Sequence, residues 1–219
     1  MTETSLSQVA ADRAALYRWF ARAFYAPPTP AEVIDLQQGG GQCLLTSLAL
    51  TPEAAVGVQA MQDVLRGGTS SQVAAALGAA HARLFDGVGG RHGAPPYRSL
   101  YSGERGVLCQ QATLSMERVL RQHRLRVQDT ICEPADHLSI QLEVMAQLAL
   151  RLAEVVDPTN APLAPLSAEQ ADFLQQQLLS WVPEFSRRVT EQDDLGFHAG
   201  LACVLLVVLQ QDLAYLKGM

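Results

Sequence analysis

The stretch EPADHLSIQLEVMAQLALRLAE, residues 133–154, decides the fold. Leu138, Leu142, Met145, Ala149 and Leu152 recur at intervals of four, three, four and three, the period of one buried helix face. Pro134 suits the first helical position, where its missing N–H costs nothing, and a carboxylate at Asp136 complements the helix dipole in the first turn. The spacing predicts a helix from Pro134 to about Val155. At about 100° per residue, Asp136 then points away from the buried stripe.

Working outward, the same signals recur. Ser5-Leu6-Ser7-Gln8 reads as a capping box that opens a helix through Leu16, Tyr17, Phe20 and Phe24, which Pro27-Pro28 stops. Thr29-Pro30-Ala31-Glu32 starts the next, and Gly39-Gly40-Gly41 ends it. Further helices start at Thr51-Pro52-Glu53, running to Gly67-Gly68, and at Thr69-Ser70-Ser71-Gln72, running to about Phe85. The segment 86–96, DGVGGRHGAPP, reads as a mobile loop, and a helix follows over 103–124. Three prolines make 157–166 an extended connector, Ser167-Ala168-Glu169-Gln170 caps the next helix, Trp181-Val182-Pro183 interrupts the chain, and an apolar helix fills roughly 195–216.

These signals predict an all-α chain, one bundle over 1–219 of about eight or nine helices. It divides into an amino-terminal part, 1–132, and a carboxyl-terminal part, 133–219. Proline-containing connectors near 134 and over 157–166 would serve as hinges, and helix exchange through them would give a homodimer.

With 219 residues, 48% apolar and a mean hydropathy of +0.07, the chain fills one core or two small ones. The longest uninterrupted apolar run, Leu201 to Leu209, is far short of the roughly 20 residues a membrane span needs. The start, MTETSLSQVA, lacks the charged and apolar regions of a secretory signal, so the expected location is the cytoplasm. Cys43, Cys109, Cys132 and Cys203 stand apart in sequence, as reduced and mostly buried thiols would. The net charge of −6 argues against nucleic acid as main partner, because phosphate binding needs a basic patch, and it suits a cationic partner better. Residues 1–30 carry only Arg13, Arg18 and Arg22 against Glu3 and Asp12, too little for a basic helix-turn-helix.

No catalytic constellation is legible. GxxxxGK[ST], HExxH and GxSxG are absent, and the glycines at 87, 89 and 90 follow a helix. Cys132 with His137 is a lone pair, and Asp136-His137 reverses the His-Asp order of metal-dependent phosphohydrolases, so neither a catalytic nor a metal site is expected.

EPADHL resembles the EPxDHL signature of the TorD/DmsD family of molybdoenzyme maturation chaperones. Leu16 to Phe24 resembles that family's first helix, Pro96-Tyr97-Arg98-Ser99-Leu100-Tyr101 its aromatic segment, and Leu179 to Phe185, followed by GFHAGLACVLLVVLQ, its carboxyl-terminal Trp-Pro-Phe turn and helix. Three features depart from the pattern: His198 stands where Tyr is common, Arg124 where Gly is usual, and the 86–96 loop is richer in glycine. The resemblance implies an all-helical, non-enzymatic, cytoplasmic protein without a cofactor. Its partner would be an apo-molybdoenzyme, bound through its twin-arginine leader and its body, kept competent for molybdenum cofactor insertion and held back from export. The client so implied is trimethylamine N-oxide reductase, with dimethyl sulfoxide reductase as alternative. A guanine-nucleotide-binding helical protein is the other reading, since the family has been linked to GTP; weak binding of GTP or of the molybdopterin cofactor would accompany it.

A twin-arginine leader needs carboxylates beside an apolar groove. The expected peptide-binding residues are Glu133, Pro134, Asp136 and His137, with Glu133 and Asp136 as the acidic edge, and Tyr97, Ser99 and Tyr101 along the groove. The same residues also make an ordinary helix start and a packed aromatic cluster.

Overall fold

A computed structural model describes residues 6–102, 111–154 and 163–218, and the α-helices among them number eleven. They are α1 (Leu6–Tyr25), α2 (Pro30–Gln38), α3 (Gly40–Leu48), α4 (Pro52–Leu65), α5 (Ser70–Leu84), α6 (Ser99–Ser102), α7 (Gln111–Gln122), α8 (Leu138–Ala153), α9 (Leu163–Phe173), α10 (Val182–Gln192) and α11 (Phe197–Lys217). No strand occurs among the described residues, and the all-α class stands. Ser5, Cys109 and the start of the 103–124 helix lie outside the described residues, as does most of the 157–166 connector.

The two helices beyond the expected eight or nine are α3 and α6. The triple glycine ends α2 but also begins α3, because the Asp35 carboxylate accepts from the N–H groups of Gly40 and Gly41, both at 2.9 Å. A side chain at Gly39 would lie 2.3 Å from that carboxylate. Helices α2 and α5 start where expected, and each start is a capping box, the Thr29 or Thr69 hydroxyl taking the third-position N–H while Glu32 or Gln72 reaches back.

Two helix starts differ. Helix α8 begins at Leu138 and not Pro134, because Pro134 opens a turn closed by the His137 N–H on the Pro134 carbonyl at 3.0 Å. Helix α9 takes in Leu163 to Leu166, with Pro165 in the first turn where no N–H is needed; Ser167 is therefore interior, its hydroxyl donating to Ala164 O at 3.1 Å. Over Leu174–Leu178 the helix widens, and Leu179 N–H reaches Leu174 O at 2.8 Å, five residues back. The 86–96 loop holds a 3₁₀ turn, Gly90–His92, and is tied by Arg188 Nε to Gly93 O at 2.7 Å. Of the thiols, Cys43 and Cys132 are exposed and Cys203 is half-buried, contrary to the burial expected of them.

Contacts divide the chain into two units, one from residues 1–25, 97–181 and 209–219, the other from 26–96 and 182–208. In the first, α1 lies along α8 and buries Tyr17, Phe20 and Phe24, while α8 buries Leu138, Leu142, Met145, Ala149 and Leu152. Burial of each large apolar side chain contributes about 1.5–3 kcal/mol. Arg13 holds Asp212 through two bonds, at 2.5 and 2.8 Å, and Gln170 at 2.8 Å, and the Tyr17 hydroxyl donates to the same Asp212 at 2.5 Å. Burial and the neighbouring carboxylate push the Tyr17 pKa well up. Although α11 is long and apolar enough to cross a membrane, it buries Leu201, Ala202, Val204, Leu205 and Leu209 and carries this buried Asp212, which is how a core helix is built. The uninterrupted apolar run understates the helix because two glutamines and an aspartate follow Leu209.

The end of α7 explains one departure from the family pattern. Arg124 takes φ 57°, with Leu125 N–H on Leu120 O at 2.9 Å and Arg124 N–H on Arg121 O at 3.1 Å, a glycine-type helix end occupied by arginine. Arg151 fixes this end by donating to His123 Nδ1 at 2.8 Å and His123 O at 2.9 Å.

In the second unit α4 and α11 cross at Gly57 and Gly200, where a side chain at Gly200 would meet Gly57 O at 2.3 Å. His198, a second departure, is buried with its ring 6.0 Å from His81 and 5.3 Å from Phe85. Burial lowers its pKa to about 4, with His81 and Arg83 adding to the shift and Asp193 opposing it.

Two outcomes follow. Arg124→Gly relieves the left-handed strain of about 1 kcal/mol and raises the thermal midpoint by about 2–4 °C. His198 is neutral in the fold, so its contribution is whole above pH 6.5 and is lost as the pH falls towards about 4. His198→Gln then removes up to about 1.4 kcal/mol per pH unit from the slope of urea-unfolding free energy across that window.

Candidate functional site

All seven residues expected at the site belong to the first unit, but the structure separates them into an interior group and a rim. Asp136 and Ser99 are fully buried, each at 0% exposure, and His137 is buried at 4%. Glu133, Pro134, Tyr97 and Tyr101 are half-exposed.

Asp136 lies before α8, in the Pro134 turn, so the helical projection that turned it outward does not apply. Its carboxylate accepts from Ser99 N–H at 2.9 Å and from the Thr113 hydroxyl at 2.6 Å. Its carbonyl accepts from Arg98 N–H at 3.2 Å and from Gln141 Nε2 at 3.0 Å. The other end of the Gln141 amide accepts from Trp181 Nε1 at 3.1 Å, and that indole N–H also reaches Gln177 O at 2.8 Å. The Arg98 guanidinium donates to Gln177 Oε1, while Gln177 Nε2 donates to Ser115 Oγ at 3.3 Å. Burial lowers the Arg98 pKa against the pull of Asp136. One buried network thus joins the 97–99 segment, α7, the EPADHL turn and Trp181.

His137 is the N-cap of α8. Its Nδ1 accepts from Ser139 N–H at 3.2 Å and lies 2.6 Å from Ser139 Oγ. The ring meets Tyr97 edge-on at 5.0 Å and Tyr25 at 6.4 Å, and an isolated antiparallel bridge pairs Tyr97 with His137. The Tyr97 hydroxyl donates to Glu133 Oε2 at 2.5 Å. Tyr101 instead lies against Trp181, ring centres 5.4 Å apart, and Ser99 contributes its N–H to Asp136 and not a hydroxyl to a groove.

Two adjoining cavities open on this rim. One, of about 580 Å³, is lined by Thr113, Leu114, Glu117, Leu120, Val127, Cys132, Glu133, Pro134 and Ala135. The other, of about 400 Å³, shares Leu120 and Val127 and continues over Ala21, Tyr25, Leu125, Ile131, Ile140 and Val144, with Arg22, Arg126 and Glu143 among its lining. Together they form an apolar groove whose carboxylates are Glu117, Glu133 and Glu143. Glu117 lies 4.0 Å from Arg121 and Glu143 3.8 Å from Arg18, both pairs solvent-exposed and individually weak.

Sequence reasoning missed Thr113, Gln141 and Gln177, and the groove wall at Leu120, Val127, Ile140 and Val144. Gln141 carries a signal: it sits three residues after Leu138 and four before Met145, a polar residue beside the apolar stripe. The wall carries none, since it is built from three separate elements. Among the described residues no group of three or more His, Cys, Asp or Glu is arranged to hold a metal.

A family model described as nitrate reductase delta subunit matches residues 49–187. The chaperone protein TorD of Vibrio vulnificus (strain YJ016) is 33% identical over 207 residues, covering 94% of this chain and 95% of that protein. The chaperone protein TorD of Vibrio atlanticus (strain LGP32) is 31% identical over the same shares, and that of Photobacterium profundum is 27% identical over 94% of each.

Replacing Asp136 with Ala strips two buried donors of their acceptor. The expected loss is about 2–5 kcal/mol of unfolding free energy, read from the urea midpoint, while Thr113→Val loses about 1 kcal/mol.

Proposed function

The chain belongs to the nitrate reductase delta subunit family, which includes the TorD molybdoenzyme maturation chaperones, and we propose that it serves one apo-molybdoenzyme by holding its twin-arginine leader in the groove of the first unit. The observation that supports this most is the pairing of an apolar groove with carboxylates on its margin. An apolar leader segment buried there gains about 25 cal/mol per Å² before ordering costs are subtracted, and the carboxylates orient its arginines. Such a protein performs no bond chemistry; it occupies the leader in the cytoplasm until the client has received its cofactor. The proposed client is trimethylamine N-oxide reductase.

Val127 is shared by both cavities and half-buried in an irregular segment, so Val127→Asp places a charge in the groove without opening a helix. Titrated calorimetrically with a synthetic leader peptide of trimethylamine N-oxide reductase, the full-length variant should bind at least about tenfold more weakly than the parent chain, as burying one unpaired charge requires. Equal affinity would remove the groove from the site. Tighter binding of a dimethyl sulfoxide reductase leader by the parent chain would transfer the client assignment to that enzyme.

A further inference from the structure

We infer that Tyr97 is a positioning residue that makes Glu133 selective for a guanidinium group over an ammonium group. This rests on the leader-binding reading of the groove. Four carboxylates lie in or near the groove, and they are not equivalent. Asp136 is fully buried and already accepts two hydrogen bonds, so no peptide side chain reaches it without breaking the turn. Glu117 and Glu143 each stand beside an arginine of this chain. Glu133 makes no ion pair among the described residues, and its carboxylate accepts instead from the Tyr97 hydroxyl at 2.5 Å.

That bond does more than satisfy one oxygen. The Tyr97 ring is held edge-on by His137, whose own ring is fixed as the α8 cap, so the hydroxyl is presented from a fixed position. It restrains the carboxylate of Glu133, which lines the cavity, and uses one lone pair of Oε2, so that Oε1 and the second lone pair of Oε2 are left for a ligand. A guanidinium fork needs that fixed plane for two parallel hydrogen bonds, and prior ordering spares the entropy of fixing the carboxylate on binding. An ammonium is a point charge that bonds to a carboxylate in many orientations. Tyr97 therefore raises the affinity for arginine while leaving that for lysine almost unchanged.

The test uses the full chain and two synthetic leader peptides that differ only in Arg-Arg against Lys-Lys, titrated by calorimetry into the parent, Tyr97→Phe, Glu133→Gln and the double variant. The parent should prefer the arginine peptide. Tyr97→Phe should cut that preference about two- to tenfold, the worth of one net hydrogen bond, with lysine-peptide affinity held. Glu133→Gln should abolish the preference, and the double variant should match it. If Tyr97→Phe leaves the preference intact, or weakens both peptides equally, while Glu133→Gln abolishes it, the positioning role is overturned and the leader reading stands. If Glu133→Gln also leaves the preference intact, the selectivity lies elsewhere and the inference falls while the leader reading stands; if the parent binds neither peptide, both fall.

Discussion

The burial of the Asp136 carboxylate is the constraint on which the first unit's surface depends. A polar group of this kind is tolerated away from water only when its hydrogen-bonding capacity is used, and here Ser99 N–H and the Thr113 hydroxyl use two of its acceptor positions. Those two donors come from either side of the segment between Tyr97 and α7. The carboxylate thus fixes where the aromatic segment crosses the EPADHL turn, and the carbonyl of the same residue, bound by Arg98 and Gln141, fixes the crossing a second time. Removing one partner would leave the others unsatisfied in a medium where such groups are most costly, so the crossing behaves as a unit.

From that crossing the functional rim follows by a short chain of contacts. The turn ends at His137, which caps α8 and stands against Tyr97; Tyr97 in turn holds Glu133 at the mouth of the groove. The residues of EPADH act differently from one another: Glu133 faces the cavity, Pro134 starts the turn, Asp136 ties it inward, and His137 joins turn to helix. A motif of this kind is as much a folding device as a binding one, which is why residues one position apart differ so sharply in exposure. The groove is closed on its other side by Leu125 to Ile131, held where it is by the left-handed residue Arg124 and by Arg151 on His123.

Much of the helical organisation was legible because it is local. The helix starts at Thr29 and Thr69, the prolines at 30 and 52 and the apolar stripe of α8 each depend on residues within one or two turns of each other. Expectations failed where a distant or unexpected partner intervened. Three glycines stop a helix by propensity, but the Asp35 carboxylate made them the start of another. Pro134 reads as a first helical residue until the turn it forms is seen. Asp136 turns inward for the same reason, since it lies in that turn and a helical projection has meaning only inside a helix.

The sequence by itself determined the all-helical class, the places where most helices begin and end, and, through EPADHL and its companion segments, the family. Those properties are carried by short-range periodicity, capping and motif spacing, which a linear chain displays openly. Tertiary structure decided which of the motif's acids is buried and which is presented, that Tyr97 belongs to Glu133 while Tyr101 belongs to Trp181, and that Leu120, Val127 and Ile140 share one groove. Exposure and pairing of a carboxylate depend on donors brought from 23 and 37 residues away, and no local pattern encodes that meeting.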